Sequence, residues 1–293
     1  MRNHKNIKLS ITSLIFIAFS TFNIYAGIDT LNVHSACMDK NIPNLIISPD
    51  NFNSHLAQTS VIYLLHGAGG DFGNWMRRFP ELQDLSNELG LVIVCPDADK
   101  TSWYIDSPED PSSLYESYII DELLPTIDSI YPSNKRAITG LSMGGHGALF
   151  LALRHPEVFD YAGSMSGGVD LRPFDNNWGL PRILGTYKDF PDRWKELSVV
   201  GIVENMDVPT TQRFIFDCGS NDFFLEVNRN LHKVMTEKGI VHEYTERPGT
   251  HDWNYWRVSV VEHLEFFKDA FESTFENENE NSLKHFSGKK AED

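Results

Sequence analysis

The sequence predicts an α/β fold: a mostly parallel central sheet with helices on both faces. Three observations lead there. Short apolar runs rich in β-branched residues, such as VIYLL (61–65) and LVIVC (91–95), are continuous rather than alternating, as strands buried on both faces should be. Stretches with helical periodicity separate these runs. Strand and helix alternate through a chain of 293 residues at the spacing of β–α–β crossovers.

The two ends fall outside this alternation. Residues 1–26 begin with the basic, acid-free MRNHKNIK, continue as the apolar LSITSLIFIAFSTFNIY and reach a small residue at Ala26. That order is the pattern of a secretory signal peptide cleaved after about Ala26, so the mature chain is expected outside the cytoplasm, secreted or periplasmic. The apolar run is too short and too often broken by Ser and Thr for a membrane anchor, and no later segment is long enough to span a bilayer. Stable membrane insertion is therefore not expected after cleavage. At the other end, residues 272–293 are polar and repetitive and read as a disordered tail. Residues 27–271 are left as one domain.

The net charge is −16, and loss of the leader removes three basic residues and no acid. Such a surface repels phosphate backbones, so nucleic acid is not an expected partner. Cys37, Cys95 and Cys218 are odd in number and widely spaced, which describes neither a disulfide framework nor a metal site. Cys95 and Cys218 lie in apolar runs and read as small buried hydrophobes.

Along the domain, strand VIYLL is followed by a glycine-rich loop, LLHGAGGDFGNW (64–75), and then by strand LVIVC. SYIIDELLPTIDSIY (117–131) is an amphipathic helix, with a kink expected at Pro125. RAIT (136–139) is a third strand, and GGHGALFLALRHP (144–156) a helix stopped by Pro156. Residues 167–212 show little periodicity and read as an insertion over the sheet. RFIFDC (213–218) is a strand, NRNLHKVMTEKG (228–239) a helix capped by Gly239, and WNYWRVSVVEHLEFFKDAF (253–271) a last long helix.

The chemistry centres on AITGLSMGGHGAL (137–149). Gly-x-Ser-x-Gly alone is weak: with glycine near 7% of residues, chance supplies it in roughly one chain in eight that has this one's 24 serines. Context raises its value. A strand ends immediately before Ser142 and a helix starts immediately after, as a nucleophile elbow requires. A serine hydroxyl needs a base and an orienting acid, which in this architecture follow in the order acid, then His. Asp222 lies in the loop beyond strand RFIFDC, and His251 lies in the loop before the last helix. Asp217 sits inside its strand, Asp252 is adjacent to His251, and Glu226 lies further into the next helix, so Asp222 is favoured. For the base, His66 precedes the serine, and His146 lies on the elbow helix, where a packing role is usual. His155, His232, His242 and His263 also compete with His251, the last three on patterns suggesting a solvated face. The oxyanion hole is expected from the N–H groups of Met143 and of Ala68 in the glycine-rich loop, with Gly67 the alternative to Ala68. That loop lacks the Gly-Lys-Ser/Thr ending of a phosphate loop.

LLHGAGGDFGNW, PDADKTSWYIDSP (96–108), YESYIIDELLP (115–125), RAITGLSMGGHGAL, FDCGSND (216–222) and PGTHDWNYW (248–256) together resemble the esterase D-type branch of the α/β-hydrolases. That branch includes feruloyl and acetyl xylan esterases, short-chain acyl esterases, S-formylglutathione hydrolases, siderophore esterases and secreted mycolyltransferases. The likeness spans most of residues 30–270. It implies Ser142 as nucleophile, Asp222 as acid, His251 as base, Ala68 as the second oxyanion donor, and neither metal nor organic cofactor. An exported acidic enzyme fits a neutral polysaccharide carrying acetyl or feruloyl esters. Trp103, Tyr104, Trp178 and Trp253 are the candidates for lining a sugar or aromatic-acyl site, while Trp75 and Trp256 read as core. Competing with this reading are a general short-chain esterase or thioesterase, a secreted acyltransferase to a sugar acceptor, and a catalytically silent binding module.

Overall fold

The computed structural model describes residues 27–52, 59–133, 135–207 and 210–288. The expected leader lies outside these residues. Eight strands form one sheet: β1 (Gly27–Ser35), β2 (Lys40–Ser48), β3 (Ser60–Leu65), β4 (Leu91–Pro96), β5 (Lys135–Gly140), β6 (Tyr161–Met165), β7 (Arg213–Gly219) and β8 (His242–Arg247). Their order is β1-β2-β4-β3-β5-β6-β7-β8. The β1–β2 hairpin is antiparallel and joins β4 antiparallel; the other pairings are parallel. The chain winds outward in one direction from β3 to β4, then in the other from β5 to β8. The crevice at the C-terminal ends of β3 and β5, where this reversal occurs, is where such sheets bind ligands.

The helices are α1 (Asn74–Arg78), α2 (Leu82–Leu89), α3 (Tyr115–Ser117), α4 (Leu124–Ile130), α5 (Met143–Arg154), α6 (Leu180–Leu184), α7 (Pro191–Glu196), α8 (Val199–Asn205), α9 (Leu225–Glu237) and α10 (Trp253–Gly288). A π-helical turn, Tyr118–Leu123, joins α3 to α4 ahead of Pro125, which lacks the N–H a regular turn would use. Strand β3 shows how the two faces divide. Val61, Tyr63 and Leu65 join the core shared with α4, α5, α8 and α9, whereas Ile62 and Leu64 join the core shared with α1, α2 and α10. Cys95 and Cys218 are buried as expected.

Several expectations need amending. The stretch 167–212, which shows little periodicity in the sequence, carries a 3₁₀ turn and α6, α7 and α8 among its described residues, with Trp194, Val199, Val200 and Val203 fully buried. The backbone of α10 continues through Gly288, over most of the tail expected from 272, and residues 289–293 lie outside the described residues. Glu and Lys are good helix formers, and extending an existing helix avoids the cost of nucleation. His263, expected on a solvated face, is completely buried.

Helix α5 is apolar on nearly every side and runs through the centre of its layer. Its His146 is fully buried between the rings of Trp103 and Phe150, and neither ring nitrogen has a hydrogen-bond partner of good geometry. Burial pushes its pKa down to about 3, against a weaker opposing effect of the Gly168 backbone. The unfolded chain therefore takes up a proton near pH 6.5 that the folded chain refuses until about pH 3, so stability is lost as pH falls through that window. Between pH 7 and pH 4 the wild type should lose roughly 3 kcal/mol more unfolding free energy than His146→Leu, as measured by urea denaturation.

Candidate active site

Strand β5 ends at Gly140, Leu141 bridges to Met165, and the chain turns at Ser142 with φ 56° and ψ −116° before α5 begins. This is a region that residues with a side chain rarely occupy. The bend is held by the Ser142 N–H, which donates to Met165 O at 2.9 Å, and the Gly144 N–H, which donates to Leu141 O at 2.7 Å. No other residue fits at its flanks. A Cβ on Gly140 would lie 2.6 Å from Gly144 O, and one on Gly144 would lie 2.6 Å from Leu65 O and 2.7 Å from His66 O.

The acid loop leaves β7 at Gly219 and runs backbone against backbone with the loop after β8. The Ser220 N–H donates to Arg247 O at 2.8 Å and the Asn221 N–H to Gly249 O at 2.9 Å. This lacing brings Asp222 to His251. His251 Nδ1 donates to Asp222 Oδ2 at 2.8 Å, and Ser142 Oγ donates to His251 Nε2 at 2.9 Å. The carboxylate only accepts, so it fixes the hydrogen on Nδ1 and leaves the Nε2 lone pair facing the hydroxyl. The Asp222 side chain is fully buried, and its Oδ1 accepts the Phe224 N–H at 2.8 Å. The His251 ring is packed by Phe223, Phe224 and Trp256.

The competing groups have other partners. Asp252 caps α10, accepting the Asn254 N–H at 2.8 Å. The Thr250 hydroxyl, with these backbone N–H groups, holds its pKa below the ordinary carboxylate value. Glu226 pairs with Arg229, His155 with Glu116, and His232 with His242. His66 Nδ1 donates to Gly67 O at 2.9 Å and its Nε2 accepts the Ala98 N–H at 3.1 Å. Burial holds this ring below the usual imidazole pKa. A neutral His66 thus pins the glycine-rich loop from both nitrogens.

A cavity of about 190 Å³ opens over the serine, lined by Gly67, Ala68, Asn74, Leu141, Ser142, Trp178, Phe223, His251, Trp253 and Trp256. Larger concavities beside β8 and α10 contain none of Ser142, Asp222 and His251. Among the described residues the N–H groups of Ala68 and Met143 donate to no protein acceptor, and Met143 opens α5, where the helix dipole is positive. Trp178 and Trp253 line the cavity as expected, but Trp103 and Tyr104 do not. Both have positive φ, 56° and 60°, which turns their rings inward. Trp103 Nε1 donates to Trp178 O, and Tyr104 packs where a Cβ on Gly147 would meet its ring at 2.4 Å. Trp75 is core as expected; its Nε1 donates to Leu65 O at 3.0 Å. Trp256, expected in the core, is mostly buried yet contributes to the cavity wall. Asn74 and Phe223 are additions. Asn74 lies within the glycine-rich loop motif and Phe223 directly follows FDCGSND in the sequence, but only the fold shows that they meet.

A family model described as "Putative esterase" matches residues 35–267. An acetyl esterase of Caldicellulosiruptor saccharolyticus is 24% identical over 261 residues, covering 80% of this chain and 96% of the relative. An S-formylglutathione hydrolase of Rattus norvegicus is 26% identical, covering 71% and 82%. Among solved structures, a ferulic acid esterase superposes with a TM-score of 0.72 at 27% identity, covering 84% of this chain and 99% of its own.

The tight crossing at Gly144 yields a prediction. Gly144→Ala pushes the Leu65–His66 backbone away and moves Ala68 with it. It should lower kcat for ester hydrolysis on the order of 100-fold with a much smaller change in KM, read by steady-state kinetics.

Proposed function

Because the chain belongs to the esterase family, we propose that it works as an exported serine carboxylesterase, removing acetyl or feruloyl groups from a plant-type polysaccharide such as xylan. The observation that carries the catalytic part is the unbroken hydrogen-bond relay from Ser142 through His251 to Asp222, with two unengaged N–H groups beside it. Ser142 Oγ attacks the ester carbonyl while His251 Nε2 takes its proton. The Ala68 and Met143 N–H groups bind the oxyanion, and Asp222 stabilises the imidazolium. His251 then protonates the departing alcohol. In the second half, His251 activates water, which attacks the acyl-serine and releases the acid and free Ser142.

The substrate reading has separate support. The cavity is small compared with the usual range of roughly 300–1,000 Å³ for drug-sized sites, so it suits one short or flat group. Trp178, Phe223 and Trp253 offer flat apolar walls, and such rings pack against either a sugar face or an aromatic acyl group. Export rests on the leader pattern of residues 1–26, and the acidic surface favours a neutral polymer over a polyanion. Likeness to an acetyl esterase and to a ferulic acid esterase agrees with either acyl group.

The test is parallel hydrolysis of an aryl acetate, methyl ferulate, acetylated xylan and S-formylglutathione. Activity is expected on the aryl acetate and on methyl ferulate or acetylated xylan. Ser142→Ala should lose on the order of 10⁵–10⁶-fold in kcat. Wild-type rates in that variant would remove the catalytic assignment. Activity confined to S-formylglutathione would remove the polysaccharide one.

A further inference from the structure

Behind the relay lies a second set of hydrogen-bonded side chains. His263, on α10, reaches across the sheet: its Nε2 donates to Asp217 Oδ2 on β7 at 2.9 Å, and its Nδ1 lies 2.8 Å from Thr139 Oγ1 on β5. The carboxylate fixes the hydrogen on Nε2, so in the neutral ring Nδ1 accepts from the Thr139 hydroxyl. The other Asp217 oxygen accepts from Ser259 Oγ at 2.8 Å, and Arg247 on β8 donates to the same Ser259 oxygen at 2.6 Å. Thr139, Ser259 and His263 are fully buried and Asp217 nearly so.

Strand β6 runs between β5 and β7, and here it carries Gly163. A Cβ at that position would lie 2.5 Å from His263 Nδ1 and 2.8 Å from Thr139 Oγ1. The missing side chain is the space the imidazole occupies as it crosses from one strand to the next but one.

The connectivity gives this set its significance. Thr139 is three residues before Ser142 on the same strand-to-elbow segment. Asp217 is five residues before Asp222 on the strand that delivers the acid. Arg247 is four residues before His251, and His263 lies on the helix that follows it. Each segment that brings a member of the catalytic relay also contributes a member of the buried set. Stability alone gives little reason for it, because apolar side chains of similar volume usually serve a core as well as, or better than, a buried carboxylate and its partners. What directional hydrogen bonds add is a fixed register between the elements they join.

We infer that Thr139, His263 and Asp217 are positioning residues for the esterase reaction, holding the segments of Ser142, Asp222 and His251 in mutual register. This rests on the assignment of those three as the catalytic set. The buried chain touches no substrate and exchanges no proton with it. It acts by limiting how far the serine can drift from the imidazole.

Thr139→Val removes the hydroxyl at nearly constant volume, Thr139→Ser retains it, and Gly163→Ala inserts a methyl between Thr139 and His263. Each is measured for kcat and KM on an aryl acetate per folded molecule, with the folded fraction taken from circular dichroism. Thr139→Val and Gly163→Ala should each lose roughly 10-fold in kcat with KM within about twofold of wild type, and Thr139→Ser should recover most of the loss. If Thr139→Val and Gly163→Ala only lower the melting temperature, with wild-type kcat per folded molecule, the network is a packing feature and the inference fails. A change confined to KM also overturns it. Ser142→Ala measured alongside separates the two levels. Loss of activity there with an unchanged Thr139→Val overturns only this inference, whereas retained activity in Ser142→Ala removes the catalytic assignment beneath it.

Discussion

At φ 56° and ψ −116°, Ser142 holds a backbone state that a side chain keeps only when its surroundings leave it no other. The constraint comes from how closely β5 and α5 pass the end of β3. Gly144 lies against the carbonyls of Leu65 and His66, and Gly140 lies against Gly144. The sharp bend lifts the hydroxyl clear of the sheet and leaves the Met143 N–H, the first of α5, unengaged beside it. The same contact puts the end of β3, and hence the Gly67–Ala68 turn, beside the serine. Ser142 and the unengaged Ala68 and Met143 N–H groups thus derive from one steric arrangement, and the rest of the cavity is fitted around it.

The surroundings supply rigidity by several independent means. His66 is kept neutral by burial and braces its own loop through both ring nitrogens. Tyr104 donates its hydroxyl hydrogen to His66 O at 3.1 Å and fills the space left by Gly147. The acid and base loops are laced to each other by backbone hydrogen bonds before any side chain is considered. Aromatic rings then enclose His251, limiting water around the imidazole and strengthening the electrostatics of its two hydrogen bonds.

Much of this is legible in the sequence, for identifiable reasons. The strands buried on both faces announce themselves through continuous β-branched runs. Ser142, Asp222 and His251 stand out because each lies in a short connection from a strand to a helix, where a parallel sheet presents functional groups. Less legible are elements whose composition does not advertise burial. β6 reads YAGSM, short and lacking a β-branched run, with Gly163 placed where His263 packs, and β8 reads HEYTER because it is a charged sheet edge. The short helices of 167–212 carry too few residues each for a period to emerge. Trp103 and Tyr104 escape a sequence reading because their direction depends on two successive left-handed residues, a backbone choice no side-chain pattern reveals. His263 looks solvated in the sequence because its partners, Thr139 and Asp217, come from strands far away along the chain.

Around Ser142 and His251, the cavity walls combine residues from distant parts of the chain: Ala68 and Asn74 after β3, Trp178 from the helical excursion, Phe223 from the loop after β7, and Trp253 and Trp256 from α10. The most direct measurement on the core is covalent labelling with a small organophosphonate, followed by intact-mass and peptide mapping. One adduct per chain is expected, on the peptide bearing Ser142, with labelling strongly slowed in His251→Ala. An enzyme that hydrolyses esters yet stays unlabelled, or carries its adduct on any other residue, would contradict the account.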